Sequence, residues 1–179
     1  GVKVMSIAML IDDVTKAGVW RGAMLTKILD QLINGVNWAQ DQEVDYLIID
    51  SPPGTGDVHL SLMEKFVIDS MILVSTPSDV ALIDAIKTID MAQKLDVEIL
   101  GLVENMSYFE DNSGHKNYIF GENEGKKFAK DNKIKLLGSV PINQDLRSCG
   151  DKKRPYCVDN SASKIGFELG KVVDEILSA

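Results

Sequence analysis

Apolar runs of strand length alternate with helix-length periodic segments along the whole chain, the pattern of a parallel sheet covered on both faces. Five runs read as strands: VKVMSIAMLI from Val2, DYLIID from Asp45, SMILVST from Ser70, EILGLVENM from Glu98 and IKLLGSVPI from Ile134. Between them, Gly22 to Ile33 places Met24, Leu25, Ile28, Leu29 and Leu32 on a helical stripe. Asp57 to Phe66 reads as a short helix. Asp79 to Leu95 reads as a longer one, with Leu82, Ala85, Ile86, Ile89 and Ala92 spaced for burial. Gly121 to Asn132 and Ser161 to Leu177 complete the helices. One polar interruption, Tyr108 to Gly125, is longer than an ordinary connection and reads as a functional loop or the relic of one. The expected fold is therefore α/β, a mostly parallel sheet with helices on both faces, in a single domain over residues 1–179.

Charge and composition narrow the partners. A formal net charge of -8 over 179 residues disfavours a phosphate backbone or an anionic membrane, both of which call for clustered Lys and Arg. No apolar run approaches the roughly 20 residues of a membrane helix. The reading is a soluble, cytoplasmic protein with no nucleic-acid and no membrane partner. The two cysteines, Cys149 and Cys157, are too few for a disulfide framework, and their spacing is not one of the usual zinc spacings. They read as reduced thiols, weak candidates for a metal or cluster ligand.

Candidate chemistry gathers where DYLIID runs into SPPGTGD. In an open α/β sheet ligands bind beyond the carboxyl ends of the strands, and Asp50 stands at such an end. One carboxylate there could hold, through water, a Mg2+ bound to nucleotide phosphates. Gly54 and Gly56 allow a backbone to approach an anion without a Cβ in the way, and Asp57 could help to place water. The same residues equally suit a tight strand-to-helix turn with Asp57 as N-cap. A phosphate-cradling G-x-x-x-x-G-K-S/T loop does not occur in these residues. The nearest approach, Gly121 to Lys126, has the wrong spacing and acids that would repel phosphate, so it reads as a loop entering a helix.

With those residues in view, a likeness emerges. DYLIIDSPPGTGD, with AGVWRGAML (Ala17 to Leu25), VSTPSDVALIDA (Val74 to Ala85), LVENMSYF (Leu102 to Phe109), YIFG (Tyr118 to Gly121) and GSVPINQDLR (Gly138 to Arg147), resembles the Mrp (ApbC-like) family across the whole chain. These are P-loop ATPases of the deviant Walker A class, with MinD and nitrogenase iron protein as wider relatives, acting as iron-sulfur cluster carriers.

The resemblance implies ATP and Mg2+ as ligands, a homodimer, and iron-sulfur recipient apoproteins as partners. It implies that Asp50 is the Mg2+-associated Walker B carboxylate and that Gly54, Thr55, Gly56 and Asp57 form the second switch, with Asp50 and Asp57 as the catalytic pair. Asn105 is implied to hydrogen-bond adenine, which suits an amide that offers donor and acceptor together, and Pro141 to lie beside the base. Trp20 and Arg21 resemble an element near the subunit interface. As bare residues, Asn105 and Pro141 could equally end strands, and Trp20 could equally be a packed aromatic.

Two departures shape the expectation. The family's amino-terminal strand, its Lys- and Gly-rich phosphate loop and its first switch all precede the point where this chain starts. The residues given are then expected to be the larger C-terminal part of a P-loop NTPase domain, binding ATP poorly or not at all alone and hydrolysing it only in a complete form. Many members also carry a C-P-x-C pair just after MSYF, where two subunits hold a 4Fe-4S cluster. Here Asp111, Asn112, Ser113 and Gly114 stand in its place, and His115 reads as solvated or as a lone ligand. The alternatives are a non-enzymatic or cluster-free, ATP-dependent adaptor of the same fold and a MinD-like, membrane-associated positioning ATPase. Against the latter, the polar face of the last helix carries Lys164 and Lys171 among Glu168, Asp174 and Glu175, not the basic face that membrane docking requires.

Overall fold

The computed structural model describes residues 2–9, 23–40, 42–52 and 54–178. Its contacts divide it into two compact units, 1–67 and 68–179.

The first unit is built on two helices, α1 (Ala23–Ile33) and α2 (Asp57–Lys65). Ile28, Leu29 and Leu62 are buried, and Thr26 Oγ1 meets Ser61 Oγ at 3.2 Å between the helices. Met24, expected on the buried stripe, is 54% exposed. The indole of Trp38 donates to the Ile33 carbonyl at 3.0 Å, closing the end of α1.

The two runs expected here as strands are not strands where they are described; Leu10 and Ile11, the end of the first, lie outside the described residues. Residues 2–6 have no regular structure and lead into a single 3-10 turn, Ile7–Met9. Residues 46–50 are likewise outside any ladder. A strand is stabilised by the hydrogen bonds and side chains of its neighbour, and among the described residues neither run has one. The apolar side chains stay in solvent, with Ile48 76% exposed. Both runs border an apolar cleft of about 1240 Å³ within this unit.

The second unit carries the sheet: β1 (Ser70–Ser75), β2 (Glu98–Glu110), β3 (Lys116–Asn117) and β4 (Leu136–Ile142). Central β2 pairs in parallel with β1 from Ser70–Glu98 to Ser75–Glu104 and with β4 from Leu102–Leu136 onward. Its far end turns back on β3 in an antiparallel hairpin, pairing Phe109 with Asn117 and Glu110 with Lys116. The long polar interruption is thus partly strand.

Helices cover both faces, as the alternating pattern predicts. On one face α3 (Asp79–Lys94) and α4 (Glu124–Asp131) meet a core of Leu73, Leu82, Ala85, Ile89, Leu102 and Phe128. On the other, α7 (Lys164–Leu177) brings Val172 onto Val103, Leu137 and Val140. Leu102 and Val103 serve opposite cores because successive strand residues point to opposite faces. Ile86, expected inside, is 48% exposed, since it lies off the arc that Leu82, Ala85 and Ile89 define. Gly101 is required where the strands crowd: a Cβ there would lie 2.4 Å from the Lys135 carbonyl oxygen. Two short helices, α5 (Gln144–Asp151) and α6 (Tyr156–Asn160), went unread in the sequence between β4 and α7.

Candidate functional site

The predicted site residues fall in both units, and each group is built by its own local chemistry. In the first, Asp50 is exposed at the end of the apolar run. Gly54 has φ +98, a left-handed conformation that a side chain would strain, and a Cβ at Gly54 or Gly56 would meet nothing within 4 Å. The backbone of this turn is therefore open to a ligand. Thr55 is half-buried between them. Gly56 and not Asp57 is the N-cap of α2, and Asp57 opens its first turn. A carboxylate there favours the positive end of the helix macrodipole.

His59, which the sequence reading passed over, is buried beside this turn. Burial lowers its pKa below the usual value, and a hydrogen bond to the Pro52 backbone partly opposes that. Trp20, Arg21 and Pro53 lie outside the described residues.

In the second unit the fold brings Asn105, where the unbroken parallel pairing of β2 with β4 stops, beside Pro141 near the carboxyl end of β4. Asn105 pairs with Val140 and Phe109 with Ile142, so β2 spends Met106, Ser107 and Tyr108 against the one residue Pro141. Pro141 has no N–H to give the ladder, and β2 bulges there through Met106 at φ +55. Ser107 Oγ donates to the Val140 carbonyl at 3.1 Å and re-ties the strands beyond the bulge. Asn105 is half-buried, and its Oδ1 accepts from Met106 N–H at 3.0 Å. Pro141 is buried.

One residue earlier, Glu104 is a second group the sequence reading passed over. It is only 8% exposed, and its two oxygens accept from Gly125 N–H at 2.9 Å and Ser139 Oγ at 3.1 Å. An acid at an inward position of an otherwise apolar strand was the available signal.

The hairpin that follows contains no thiol. Asp111 closes its tip: Oδ1 accepts from Ser113 N–H at 2.9 Å, from Ser113 Oγ at 2.7 Å and from His115 N–H at 3.0 Å. The Ser113 hydroxyl, then the His115 backbone, hold its carboxyl below the usual range. Lys116 lies 4.2 Å from the centroid of the Tyr108 ring, and Lys164 at the start of α7 pairs with Glu110.

Cys149 is half-buried on α5 and Cys157 is exposed on α6. Among the described residues no group of three or more His, Cys, Asp or Glu is placed to hold a metal ion. The donors present do not fit a four-thiolate cluster within one chain. A Mg2+ bound to nucleotide phosphates takes most of its ligands from phosphate and water, so a single carboxylate such as Asp50 suffices on the protein side. Residues 121–126 are a turn and a helix entry, as expected: Asn123 is the N-cap of α4. Among the described residues no helix is long and apolar enough to cross a membrane.

Comparison with known proteins bears on the family and the fold. The iron-sulfur cluster carrier protein of Pseudomonas fragi is 40% identical over 168 residues, covering 93% of this chain and 57% of that protein. Mouse iron-sulfur cluster transfer protein NUBPL is 40% identical over 164 residues, 91% of this chain and 50% of its own length. The chain thus spans about half the length of the curated relatives it matches. Among solved structures, a nucleotide-binding protein from Archaeoglobus fulgidus in complex with ADP superposes with a TM-score of 0.71 at 35% identity, covering 86% of this chain and 58% of that one. The cell division ATPase MinD of Pyrococcus furiosus, 21% identical with a TM-score of 0.63 over 86% of this chain and 58% of its own, shares the fold. The family described as ParA: NUBPL iron-transfer P-loop NTPase matches residues 1–177, and the chain belongs to it.

Proposed function

We propose that this chain is the larger C-terminal part of an ATP-binding and ATP-hydrolysing domain that works as a homodimer and delivers an iron-sulfur cluster, its cargo, to recipient apoproteins. The observation that carries the nucleotide half of this reading is the likeness to the Archaeoglobus fulgidus protein, which holds ADP and is 35% identical over the shared fold. The roles then follow from chemistry. Asp50 orients the water shell of Mg2+ on the phosphates. Gly54, Thr55 and Gly56 offer an open backbone to the terminal phosphate, and Asp57 helps to place the attacking water. Asn105 has its carboxamide oxygen on Met106 N–H, so its NH2 is the end offered to an acceptor on the base, with Pro141 beside it. We place the protein in the cytoplasm.

The test uses the complete gene product. Asp50→Asn is expected to lower Mg-dependent ATP hydrolysis on the order of 100-fold, as loss of a charge aimed at the transition state does. Turnover equal to wild type would remove Asp50 from that role.

One observation favours a second reading, a cluster-free adaptor that uses nucleotide but carries no cargo: the hairpin tip is closed on the Asp111 carboxylate and contains no thiol. Anaerobic reconstitution with iron and sulfide separates the two. Iron that survives desalting, and is lost in Cys149→Ser or Cys157→Ser, supports the carrier. An iron-free protein that still binds ATP supports the adaptor.

A further inference from the structure

We propose that Glu104 is a positioning residue for the nucleotide base, a clamp that sets the spacing of β2 and β4 beside Asn105 and Pro141 by tying both strands to the first turn of α4. The proposal rests on the nucleotide reading above and adds to it a residue that does not touch the ligand.

Three features argue for a clamp. First, the burial is costly. A charged group in a low-dielectric interior must recover its lost hydration from hydrogen bonds, and an apolar residue of similar size would often serve stability as well. The acid's distinctive contribution is geometry: a fully satisfied polar network fixes one arrangement of its members. Glu104 is satisfied at both oxygens by groups from two different elements, Gly125 on α4 and Ser139 on β4.

Second, the partners are shaped for it. Ser139 stands opposite Glu104 in the β2–β4 register, one step before the Asn105–Val140 pair. A Cβ at Gly125 would fall 2.3 Å from Glu104 Oε1, so only glycine lets the helix approach this closely. The N-cap of α4, Asn123, sits at φ 63 and makes no side-chain cap hydrogen bond. The acceptor that an N-cap side chain ordinarily gives to the N2 amide comes instead from the strand.

Third, the clamp is adjacent to the site but outside it. Strand alternation puts Glu104 on the α3 and α4 face and Asn105 on the other. Glu104 therefore acts through the backbone, holding residue 105 against residues 140 and 141 on a strand pair that Pro141 and the Met106 bulge would otherwise loosen.

The experiment compares variants of the complete gene product by calorimetric ADP binding, by KM and kcat for ATP, and by thermal midpoint. Glu104→Ala is expected to raise the ADP Kd and the KM for ATP by about tenfold while kcat stays within about threefold, because small misplacements of a binding group are costly. Glu104→Gln, which can accept from Gly125 N–H and donate to Ser139 Oγ, recovers most of the lost affinity. Ser139→Ala keeps the helix tie and shifts Kd in the same direction by about threefold, the worth of one hydrogen bond. Should Glu104→Ala fail to fold, Ser139→Ala and Glu104→Gln carry the test. A Glu104→Ala protein with a lower midpoint and wild-type Kd and KM makes Glu104 a packing group and overturns the proposal, as does a Ser139→Ala protein with unchanged Kd. A wild-type protein that binds no ADP overturns the nucleotide reading and the clamp together. Normal wild-type binding beside insensitive variants overturns the clamp alone.

Discussion

Residues 46–50, YLIID, and residues 99–105, ILGLVEN, carry the same kind of message: an apolar run that ends in a polar residue suited to a ligand. The second is the central strand of a sheet, with Leu102 fully buried. The first lies outside any ladder, with Tyr46 and Ile48 more than half exposed. Their compositions barely differ; their neighbours do. β2 is gripped by β1 and β4 and covered by helices on both faces, so each of its residues gains contacts on several sides. Pairing converts an apolar run into a strand, and the candidate residues carried by each unit inherit the difference. Asn105 and Pro141 stand on a braced frame, while Asp50 lies outside any ladder and Gly54 to Asp57 lead into the first turn of α2, where the His59 and Leu60 amides bond to the Gly56 carbonyl.

That contrast can be broken by substitution. The largest effect is expected from Leu102→Ala, which empties the most enclosed position of the sheet. A loss of about 2–5 kcal/mol in urea unfolding is the ordinary cost of such a cavity, and a loss under about 1 kcal/mol would mean that β2 is less enclosed than its packing indicates. Ser163→Ala comes next. Its Oγ accepts from Gly166 N–H at 3.0 Å at the start of α7, and removing such a cap costs about 1 kcal/mol, measurable as a lower thermal midpoint.

A smaller effect, confined to the first unit, concerns pH. Burial depresses the pKa of His59 below 6.5, so the folded state prefers the neutral ring and the unfolded chain takes the proton more readily. The stabilisation is complete above 6.5 and is lost as pH falls through the depressed folded value. Both tryptophans, Trp20 and Trp38, belong to residues 1–67, so their fluorescence reports this unit. The urea midpoint it gives should fall between about pH 7 and pH 5, and His59→Gln should flatten that slope. The smallest effect is expected at Ile48→Ala, within about 0.5 kcal/mol, as for an exposed side chain. A loss of about 2 kcal/mol there would show that the run is covered in solution.

Periodicity made much of the fold legible. The strands at Ser70, Glu98 and Leu136 and the helix from Asp79 could be read because burial on a regular face leaves a repeat in the sequence. Periodicity also misled at 2–6 and 46–50, because it records what a segment would do given a partner and is silent about whether one is present. The short helices α5 and α6 bury little and, at eight and five residues, are too short for a face to repeat, so they escaped notice. Among the candidate site residues, Asn105 and Pro141 entered through resemblance alone. Glu104 and His59 were visible only as polar residues beside apolar ones, and their meaning came from tertiary partners, Gly125, Ser139 and Pro52, that no local pattern names.

β2 is the one strand shared by every ladder of the sheet. Its amides open only when the whole unit opens, so they should be the last to exchange hydrogen for deuterium. Its parallel neighbours lie far away in sequence, and joining them requires closing long loops before any contact rewards the chain, whereas the β2–β3 hairpin closes locally. Assembly of this unit is therefore expected to begin at the hairpin and to wait, at its slowest step, for β1 and β4 to reach the strand between them.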